Sequence, residues 1–453
     1  RVLFRSILLA SCNNYLDVKP KGKIIPETAE DFSTIIHYWL DQIEKGRDDV
    51  IIPNPEVMTT LEMFADDLNA TLASNFGYTS IYVGSAINKN QATYKTLYSV
   101  IKDCNMVIGN MDDTESDLAR TLLGTAWSIR SICYYNLMQR YCEPYQPETA
   151  KETLGLPLVD DFDMEAKPAR ANLKETAEFI EEGFRKALSY NVSNEDFIFT
   201  SSVTKAYFAR FFFWTQNWSN AITYAKEVLE KYPMLEADEY VEAINQKQAK
   251  AHNVIIRSFT MDDDIGTMSY ATAQADIKSR PVDRNLVDLF AATDNDVRRK
   301  CNYDSKRIVN KIITTKFRSE ELCLIIAEAH AHLNQETDAL GYLNQLRSKR
   351  ITQDYIAYTI DNLPEVFQQN IKTDATGIPL TKLMSAILCE RRKELFVEGD
   401  RWFELKRNGR PEFWVAAKGK KFITEKYLYT FPIPKADIRL FPDLLIQNPG
   451  YIE

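Results

Sequence analysis

The sequence has few of the residues from which metal and catalytic centres are most often built. Its 453 residues include only 4 histidines. His330 and His332 are two residues apart, so on a helix they point in different directions and cannot chelate one ion together. No H-E-x-x-H or C-x-x-C pair predicts a zinc site, and the G-x-S-x-G, P-loop and dinucleotide-binding fingerprints are absent. No local pattern therefore predicts a metal, a cofactor or a catalytic centre.

The chain also lacks long apolar runs and an excess of positive charge. No apolar run approaches the roughly 18 to 20 residues that span a bilayer. The net charge of -9 disfavours nucleic acid as a partner, because phosphate binding requires clustered Lys and Arg. A hydrophobic content of 45% with 26% charged residues is typical of a folded protein. At this length we expect two lobes or a helical array.

The 7 cysteines do not predict a disulfide framework. Four of them fall on the apolar stripes of predicted helices, namely Cys104, Cys133, Cys323 and Cys389. A cysteine in such a position behaves as a small hydrophobic residue. We therefore expect free, buried thiols.

Cys12 stands in a different context, at the end of a short apolar run that reads Leu-Ala-Ser-Cys. This pattern looks like a bacterial lipobox, in which the cysteine thiol receives a diacylglyceryl group. We expect lipidation at Cys12, with residues 1–11 as a signal-peptide remnant or library-derived sequence. The alternative is a buried N-terminal cysteine that follows a chance apolar stretch.

Apolar residues recur at helical spacing along most of the chain. The pattern predicts helix pairs, joined by short turns, near 94–141, 173–233 and 317–349. The pair over 202–233 ends in proline and resembles one tetratricopeptide unit. Because one helix pair cannot bury its apolar face alone, such pairs stack and share a core. We predict a mostly α fold, built as a tetratricopeptide-like scaffold of helical hairpins.

Several stretches show no helical periodicity, and we predict long irregular loops there. Residues 65–90 are rich in Asn, Thr, Ser and Tyr. Within 261–307, the stretches 261–280 and 294–307 are polar with scattered Tyr and Met. Residues 361–381 form a further irregular excursion. Loops of this length inside a compact protein are usually functional.

Two C-terminal motifs are the most specific features of the chain. They read ERRKELFVEGDRWFELKR over Glu390–Arg407 and FPDLLIQNPGY up to Tyr451. Earlier segments are CNNYLDVKP at Cys12, SIRSICYYNLMQRYCEPY at Ser128 and FRSEELCLIIAEAHAHLN at Phe317. In order and spacing these segments resemble the SusD/RagB family over nearly the whole chain. The resemblance implies one SusD-like domain over 12–453, with its C-terminal signature in 383–453.

The same resemblance implies a function without covalent chemistry. SusD/RagB proteins are outer-membrane lipoproteins that capture nutrients for a TonB-dependent transporter of the SusC type. We therefore expect a lipid-anchored protein that faces the cell exterior, binds an oligosaccharide or polysaccharide and passes it to such a transporter. A peptide cargo, as in the RagB branch, and a glycoside hydrolase that uses Asp66 or Asp67 are the alternatives.

The candidate ligand-binding residues lie in the two predicted loop regions. Sugars offer C–H faces that stack on aromatic rings and hydroxyl groups that need amide or carboxylate partners. The first region supplies Asn69, Asn75, Phe76, Tyr78, Tyr82 and Asn88. In SusD/RagB relatives the ligand platform draws on this region and on a second loop, so the resemblance implies a ligand region over 65–90 and 261–307, with Met268 and Tyr270 in its second part. The alternative is that these rings only anchor their own loops. None of the 6 Trp residues lies in either region, which argues against a starch-like helical glycan.

The charges of the Glu390–Arg407 motif allow two interpretations. As acid/base residues its glutamates would be catalytic. As ion-pair partners they would pin the last helix to the C-terminal extension, and we favour this structural role. Spacing of three residues predicts three pairs along a helix: Glu390 with Lys393, Arg391 with Glu394, and Glu398 with Arg401.

Overall fold

The computed structural model describes residues 26, 28–44, 51–74, 92–161, 167, 169–245, 254–257, 264–290, 295–313, 316–417 and 420–451. Cys12 lies outside these residues. The predicted mostly α fold is confirmed, because sixteen α-helices and three two-stranded sheets account for the regular structure of the described ranges. No helix in this part of the chain is both long and apolar enough to cross a membrane.

The helices follow one another along the whole chain. In chain order they are α1 (Ala29–Glu44), α2 (Pro55–Phe64), α3 (Ala92–Asn110), α4 (Asp117–Tyr141), α5 (Leu173–Ser189), α6 (Ser201–Trp214), α7 (Trp218–Lys231), α8 (Ala237–Asn245), α9 (Asp264–Lys278), α10 (Arg284–Asp288), α11 (Val297–Asn302), α12 (Ser319–His332), α13 (Glu336–Ser348), α14 (Lys382–Glu394), α15 (Arg401–Arg407) and α16 (Lys435–Leu440). Short 3-10 helices lie at Ala70–Leu72, Glu195–Phe197, Ile360–Asn362 and Lys426–Tyr429.

The strands form three separate antiparallel pairs. They are β1 (Leu154–Pro157) with β2 (Arg170–Asn172), β3 (Val254–Arg257) with β4 (Lys316–Arg318), and β5 (Phe413–Ala417) with β6 (Lys420–Thr424). The β5–β6 hairpin has a regular register, with Phe413 opposite Thr424 and Trp414 opposite Ile423. Each sheet is therefore a local two-stranded element of a mainly helical protein.

Consecutive helices pack against each other as hairpins, among them α3 with α4, α6 with α7 and α12 with α13. In the second hairpin the ring of Phe208 stacks on Phe212, with centroids 4.2 Å apart, and lies 4.7 Å from the ring of Tyr224. These residues lie on facing stripes of α6 and α7. The apolar residues that recur at helical spacing in the sequence thus form the contact between the two helices.

Helix α4 is buried on nearly all sides and not along a single stripe. Neighbouring residues such as Ser128 and Ile129 are both fully buried, although they point in different directions. The reason is that α1, α3 and α5 all pack around α4. The Ser128 hydroxyl is satisfied inside the core by a 2.8 Å hydrogen bond with the Thr204 hydroxyl.

The prediction of irregular structure over 261–307 is wrong in two places. Residues 264–278 form α9, in which Tyr270, Ala273 and Ile277 are buried at helical spacing. Residues 297–302 form the short helix α11. Asp296 caps its N-terminus, because the Asp296 carboxylate accepts a hydrogen bond from the Arg298 backbone amide. In the sequence of α9, the residues between the buried ones hide the apolar spacing of three and four residues. Helix α11 is too short to show such spacing. By contrast, 361–381 is irregular as predicted.

The six described cysteines are free, as predicted. Five of them are buried and Cys389 is partly buried. Burial raises the pKa of Cys142 and of Cys389 to about 11, so both thiols stay protonated at neutral pH. They pack as small apolar groups.

The FPDLLIQNPGY motif fastens the chain end onto α4. The Asn448 side-chain amide donates to the backbone oxygens of Tyr141, at 2.8 Å, and Phe431, at 2.7 Å. Gln447 pairs with Ile433 through two 2.9 Å hydrogen bonds. Gly450 has a φ of +91° and lies against the ring of Tyr427, where a Cβ atom would not fit. The motif is therefore a structural lock.

A buried charge network surrounds Glu394, the last residue of α14, which is fully buried. Its carboxylate oxygens lie 2.8 Å from Arg318, 3.0 Å from Arg350 and 3.3 Å from Arg298. Burial raises the pKa of Glu394, but the three guanidinium groups outweigh burial and hold the pKa well below its ordinary value. Three segments distant in sequence thus meet at one carboxylate.

Of the three predicted ion pairs in Glu390–Arg407, one is confirmed. The Lys393 ammonium lies 2.7 Å from the Glu390 carboxylate. The other two predicted pairs are wrong: Arg391 and Glu394 lie on one helix but each has another partner, and α14 ends before Glu398. The observed pairs are Arg391 with Asp400, Glu398 with Arg318, and Arg401 with Asp66. The network ties the signature to distant segments of the body, whereas we predicted ties to the C-terminal extension.

Candidate functional site

Most of the predicted ligand-binding residues lie outside the described part of the chain. These are Asn75, Phe76, Tyr78, Tyr82 and Asn88. Met268 lies on α9, but its side chain is not among the described ones. Asn69 and Tyr270 are described in full, and the structure places them in different surroundings.

Tyr270 lies in a helix and not on an exposed loop. Its side chain is 9% exposed, and its hydroxyl donates to the Gln274 side-chain oxygen, one turn further along α9, at 2.9 Å. Burial raises the pKa of the Tyr270 hydroxyl. The exposed aromatic surface expected at this position is therefore not seen, because the helix turns the ring towards the interior with Ala273 and Ile277.

Asn69 lines a polar surface groove of about 410 Å³. Four segments that are distant in sequence form its walls: 65–71, 283–285, Asn370 and 412–415. Pockets of about 300 to 1,000 Å³ with a few convergent polar groups are typical of small-ligand sites. This groove is the candidate functional site.

The first wall is fixed by Asn69 itself. The Asn69 side-chain oxygen accepts from the Leu72 amide at 3.1 Å and so caps the 3-10 helix. Its amide nitrogen donates to the Asp283 carboxylate at 3.0 Å, and its backbone nitrogen donates to the Pro281 oxygen at 2.8 Å. Asn69 therefore joins two walls of the groove and leaves one side-chain N–H available.

The opposite wall is the first strand of the β5–β6 hairpin, which packs against the 3-10 helix. Phe413, Trp414 and Val415 all line the groove. Since consecutive strand residues point to opposite faces, the groove runs along the strand itself. Trp414 is 59% exposed, which is unusual for so large an apolar side chain. It offers an aromatic surface at the rim of the groove.

Asn370 reaches the groove with a defined orientation. Its side-chain nitrogen donates to the Asp66 carboxylate at 2.8 Å. Asp66 is in turn held by Arg401, whose Nε and Nη2 donate at 2.7 and 3.0 Å. Burial raises the pKa of Asp66, but Arg401 and Arg392 outweigh burial and lower it well below the usual range. The fixed carboxylate therefore orients the Asn370 side chain, whose oxygen and second N–H are available to a ligand.

Asp66 and Asp67, the carboxylates considered for glycoside hydrolysis, are both engaged by buried guanidinium groups. The Asp67 carboxylate accepts from Arg392 Nε at 2.6 Å, and both side chains are nearly inaccessible to solvent. A glycosidase needs one carboxyl group that stays protonated near the operating pH. The pKa of Asp66 is lowered, which is the opposite of this requirement, whereas burial raises the pKa of Asp67. Asp67 nevertheless cannot reach a substrate, because its side chain is buried against Arg392. Among the described residues, no group of His, Cys, Asp or Glu is arranged to hold a metal ion.

A second surface groove, of about 290 Å³, lies between α3 and the C-terminal segment. Its walls include Tyr94, Tyr98 and Phe441. However, the Tyr98 hydroxyl donates to the Pro157 backbone oxygen at 2.9 Å, and Tyr94 is 5% exposed. These rings therefore pack the protein, and the groove beside Trp414 is the better candidate.

Several groove residues were not predicted from the sequence, namely Asn285, Asn370, Phe413 and Trp414. The hairpin could have been found, because two short apolar and polar runs flank a two-residue connection that contains a glycine, Lys418–Gly419. The approach of Asn370 to Asp66 joins residues more than 300 positions apart. No local pattern encodes such a contact.

Two family models match separate parts of the chain. Residues 297–451 match the SusD family, and residues 14–213 match a family described as starch-binding and associating with the outer membrane. A SusD-like protein of Formosa agariphila is 34% identical over 94 residues. That stretch covers 21% of this chain and 16% of the relative, so the chain spans about a sixth of the relative's length.

Solved structures with the same fold cover nearly the whole chain. A SusD superfamily protein from Bacteroides vulgatus has a TM-score of 0.71 at 18% identity, over 94% of this chain and 100% of that one. The surface glycan-binding protein A of Bacteroides fluxus gives 0.65 at 15%, over 94% and 100%. A laminarin-binding SusD-like protein gives 0.62 at 16%, over 93% and 99%. The two family models together match residues 14–213 and 297–451, and by these matches the chain belongs to the SusD-like family.

Proposed function

We propose that the protein is a cell-surface glycan-binding lipoprotein, which captures an oligosaccharide and delivers it to a SusC-like TonB-dependent transporter. The observation that supports this most is the groove of about 410 Å³, in which the exposed Trp414 lies among amide side chains. Aromatic faces suit the C–H surfaces of sugar rings, and amides suit their hydroxyl groups. Two of the proteins that share this fold are a laminarin-binding SusD-like protein and a surface glycan-binding protein, which agrees with this chemistry.

Binding in this groove needs no covalent step. Trp414 supplies apolar contact at the rim, and the Asn370 oxygen accepts a hydrogen bond from a sugar hydroxyl. Asn285 is exposed at the groove and adds a second amide. Since Asn69 and Asp66 are already fixed by their own hydrogen bonds, the polar groups are in place before the ligand arrives. Such preorganisation lowers the entropic cost of binding.

The proposal excludes catalysis by the protein itself. A hydrolase would need a carboxyl group poised to donate a proton to the glycosidic oxygen. Asp66 and Asp67 are instead bound to Arg401 and Arg392. Their carboxylates therefore have a structural role beside the groove.

The anchor and the partner are further parts of the proposal. Acyl chains on Cys12 would hold the protein at the outer membrane, because two or more chains give stable anchoring. The family description that mentions the outer membrane supports this location. Mass spectrometry of the protein from its native membranes tests it. Diacylated Cys12 at the N-terminus is the expected result, and an unmodified chain extending upstream of Cys12 would contradict the anchor.

The binding proposal is tested by isothermal titration with a panel of oligosaccharides, using the Trp414→Ala variant. We expect saturable binding of a glycan by the wild type and an affinity loss of about tenfold or more in the variant, because ring contacts contribute about 1 kcal/mol or more. Tyr38→Ala is the matched control, since Tyr38 is 56% exposed on α1, outside the groove. Saturable binding of peptides with no binding of sugars would contradict the proposal, as would release of sugar products.

A further inference from the structure

The charge of the groove indicates which chemical class of glycan it accepts. We infer that the groove binds neutral glycans and rejects glycans that carry carboxylate or sulfate groups. This inference rests on the proposed function, and it adds the charge class of the ligand. It follows from three features of the groove: its carboxylates, its hydrogen-bond acceptors and the position of the nearby cations.

Three carboxylates line the groove, those of Asp66, Asp283 and Glu412, whereas none of its described lining residues is Lys or Arg. The Asp66 charge is compensated by Arg401. The Asp283 carboxylate accepts only neutral amide donors among the described residues, from Asn69 and from the Asn285 backbone. Glu412 is exposed and has no ion pair within the described ranges. Neither Asp283 nor Glu412 therefore has an ion-pair partner among the described residues, although Arg307 Nη1 donates to the oxygen of the neighbouring Val282 at 3.0 Å.

A carboxylate or sulfate in the groove would face these two like charges. Such juxtaposition disfavours a partner, and the repulsion is stronger inside a concavity with low-dielectric walls than on an open surface. Neutral sugar hydroxyls experience no such repulsion. The overall net charge of -9 acts in the same direction on approaching polyanions.

The hydrogen-bonding groups of the groove lead to the same conclusion. Asn370 donates one N–H to Asp66 and offers its oxygen, and Asp283 and Glu412 are acceptors as well. Ionised carboxylates and sulfate esters are also acceptors and bring no donor of their own. Sugar hydroxyls can donate to each of these groups. A neutral glycan can therefore pair with all three acceptors, whereas the charged groups of an acidic glycan meet only neutral donors, such as the Asn69 and Asn285 amides.

One cation lies close to the aromatic rim. The Lys421 ammonium lies 5.1 Å from the ring centroid of Trp414. Lys421 pairs with Ala416 across the hairpin, on the same face as Trp414, and it is not part of the groove lining. Its charge thus interacts with the indole ring at the rim, and among the described residues no ion pair joins Lys421 to Asp283 or Glu412.

The test compares neutral and uronate oligosaccharides of equal length by isothermal titration with the full chain at low salt. We expect the wild type to bind a neutral glycan and to bind the uronate series at least about tenfold more weakly. Glu412→Gln should raise the ratio of uronate to neutral affinity by about fivefold or more. Glu425→Gln is the matched control, because Glu425 is exposed just beyond the hairpin and outside the groove, so this ratio should not change.

The possible outcomes separate the inference from the proposed function. If uronate glycans bind as tightly as neutral ones and Trp414→Ala weakens both, the charge inference is overturned and the proposed function stands. If no glycan of either kind binds, or if Trp414→Ala leaves binding unchanged, both are overturned. A Glu412→Gln variant with an unchanged affinity ratio also contradicts the inference, once circular dichroism shows that the variant is folded.

Discussion

In the hairpin of α6 and α7, the side chains that hold the helices together lie three or four residues apart on each helix. In the signature Glu390–Arg407, by contrast, most charged side chains pair with residues from other segments. Both regions are buried, but apolar contacts accept any partner of suitable shape, whereas each buried charge requires a specific partner. The hairpins should therefore tolerate change by degrees, and the buried charge network should fail when one group is removed.

The largest effect is expected for Glu394→Gln. This change leaves Arg298, Arg318 and Arg350 with one negative charge fewer in a site closed to solvent. Breaking a buried ion pair from one side typically costs about 3 to 5 kcal/mol. Urea unfolding of the variant should show a loss of that size. A loss below about 1 kcal/mol would show that the network contributes no more than exposed ion pairs do.

The second-largest effect is expected from acidification, which should weaken the buried ion pairs. Burial raises the pKa of Glu328, but Arg407 and His332 outweigh it and lower the pKa from 4.5 to about 2. A lowered folded-state pKa gives a contribution that is present above pH 4.5 and is lost as the pH falls towards 2. The shift corresponds to about 3 kcal/mol.

The free energy of unfolding of the wild type should therefore fall steeply over this pH range. In Glu328→Gln the fall should be shallower, because the titrating group is gone. Urea unfolding at several pH values between 6 and 2.5 measures both slopes. Identical slopes for the wild type and the variant would contradict the assignment of this contribution to Glu328.

A smaller effect is expected in the helical hairpins. Ile129 on α4 is fully buried among apolar neighbours. Ile129→Val removes one methyl group, which typically costs about 0.5 to 1.5 kcal/mol in a well-packed core. Thermal unfolding should show a modest decrease in the midpoint. A loss as large as that of Glu394→Gln would remove the distinction between the two regions.

The smallest effect is expected for an exposed ion pair of similar geometry. Glu181 and Arg185 lie one turn apart on α5 with an N···O distance of 2.6 Å, and the Arg185 side chain is 53% exposed. Water and salt screen this pair, so Glu181→Gln should cost about 0.5 kcal/mol or less. It is also the control for Glu394→Gln, because the chemical change is the same. A cost above about 1 kcal/mol would show that burial does not explain the difference.

The sequence predicted the helices well because their signal is local. Apolar residues three and four positions apart place α3, α4, α6 and α7 within a few residues of their observed ends. The same rule failed for 261–280, where polar residues between Tyr270 and Ile277 obscured the buried stripe of α9. Local periodicity is thus informative only when the exposed side of a helix does not hide it.

The candidate site was only partly predictable. Asn69 was found because its segment is rich in residues suited to sugar hydroxyls, and the structure places it in the groove wall. Trp414 and Asn370 were missed, since their role depends on the meeting of segments distant in sequence. The partners of Glu394, Glu398 and Arg401 were missed for the same reason. Spacing along a helix cannot identify a charge that arrives from elsewhere in the chain.

A crystal structure of the protein with its tightest-binding neutral oligosaccharide tests the central claim most directly. We predict a sugar ring against Trp414 and a hydroxyl group within hydrogen-bonding distance of the Asn370 side-chain oxygen, with Asp66 and Arg401 in their present positions. An oligosaccharide bound elsewhere, with the groove between 65–71 and 412–415 empty, would contradict the account.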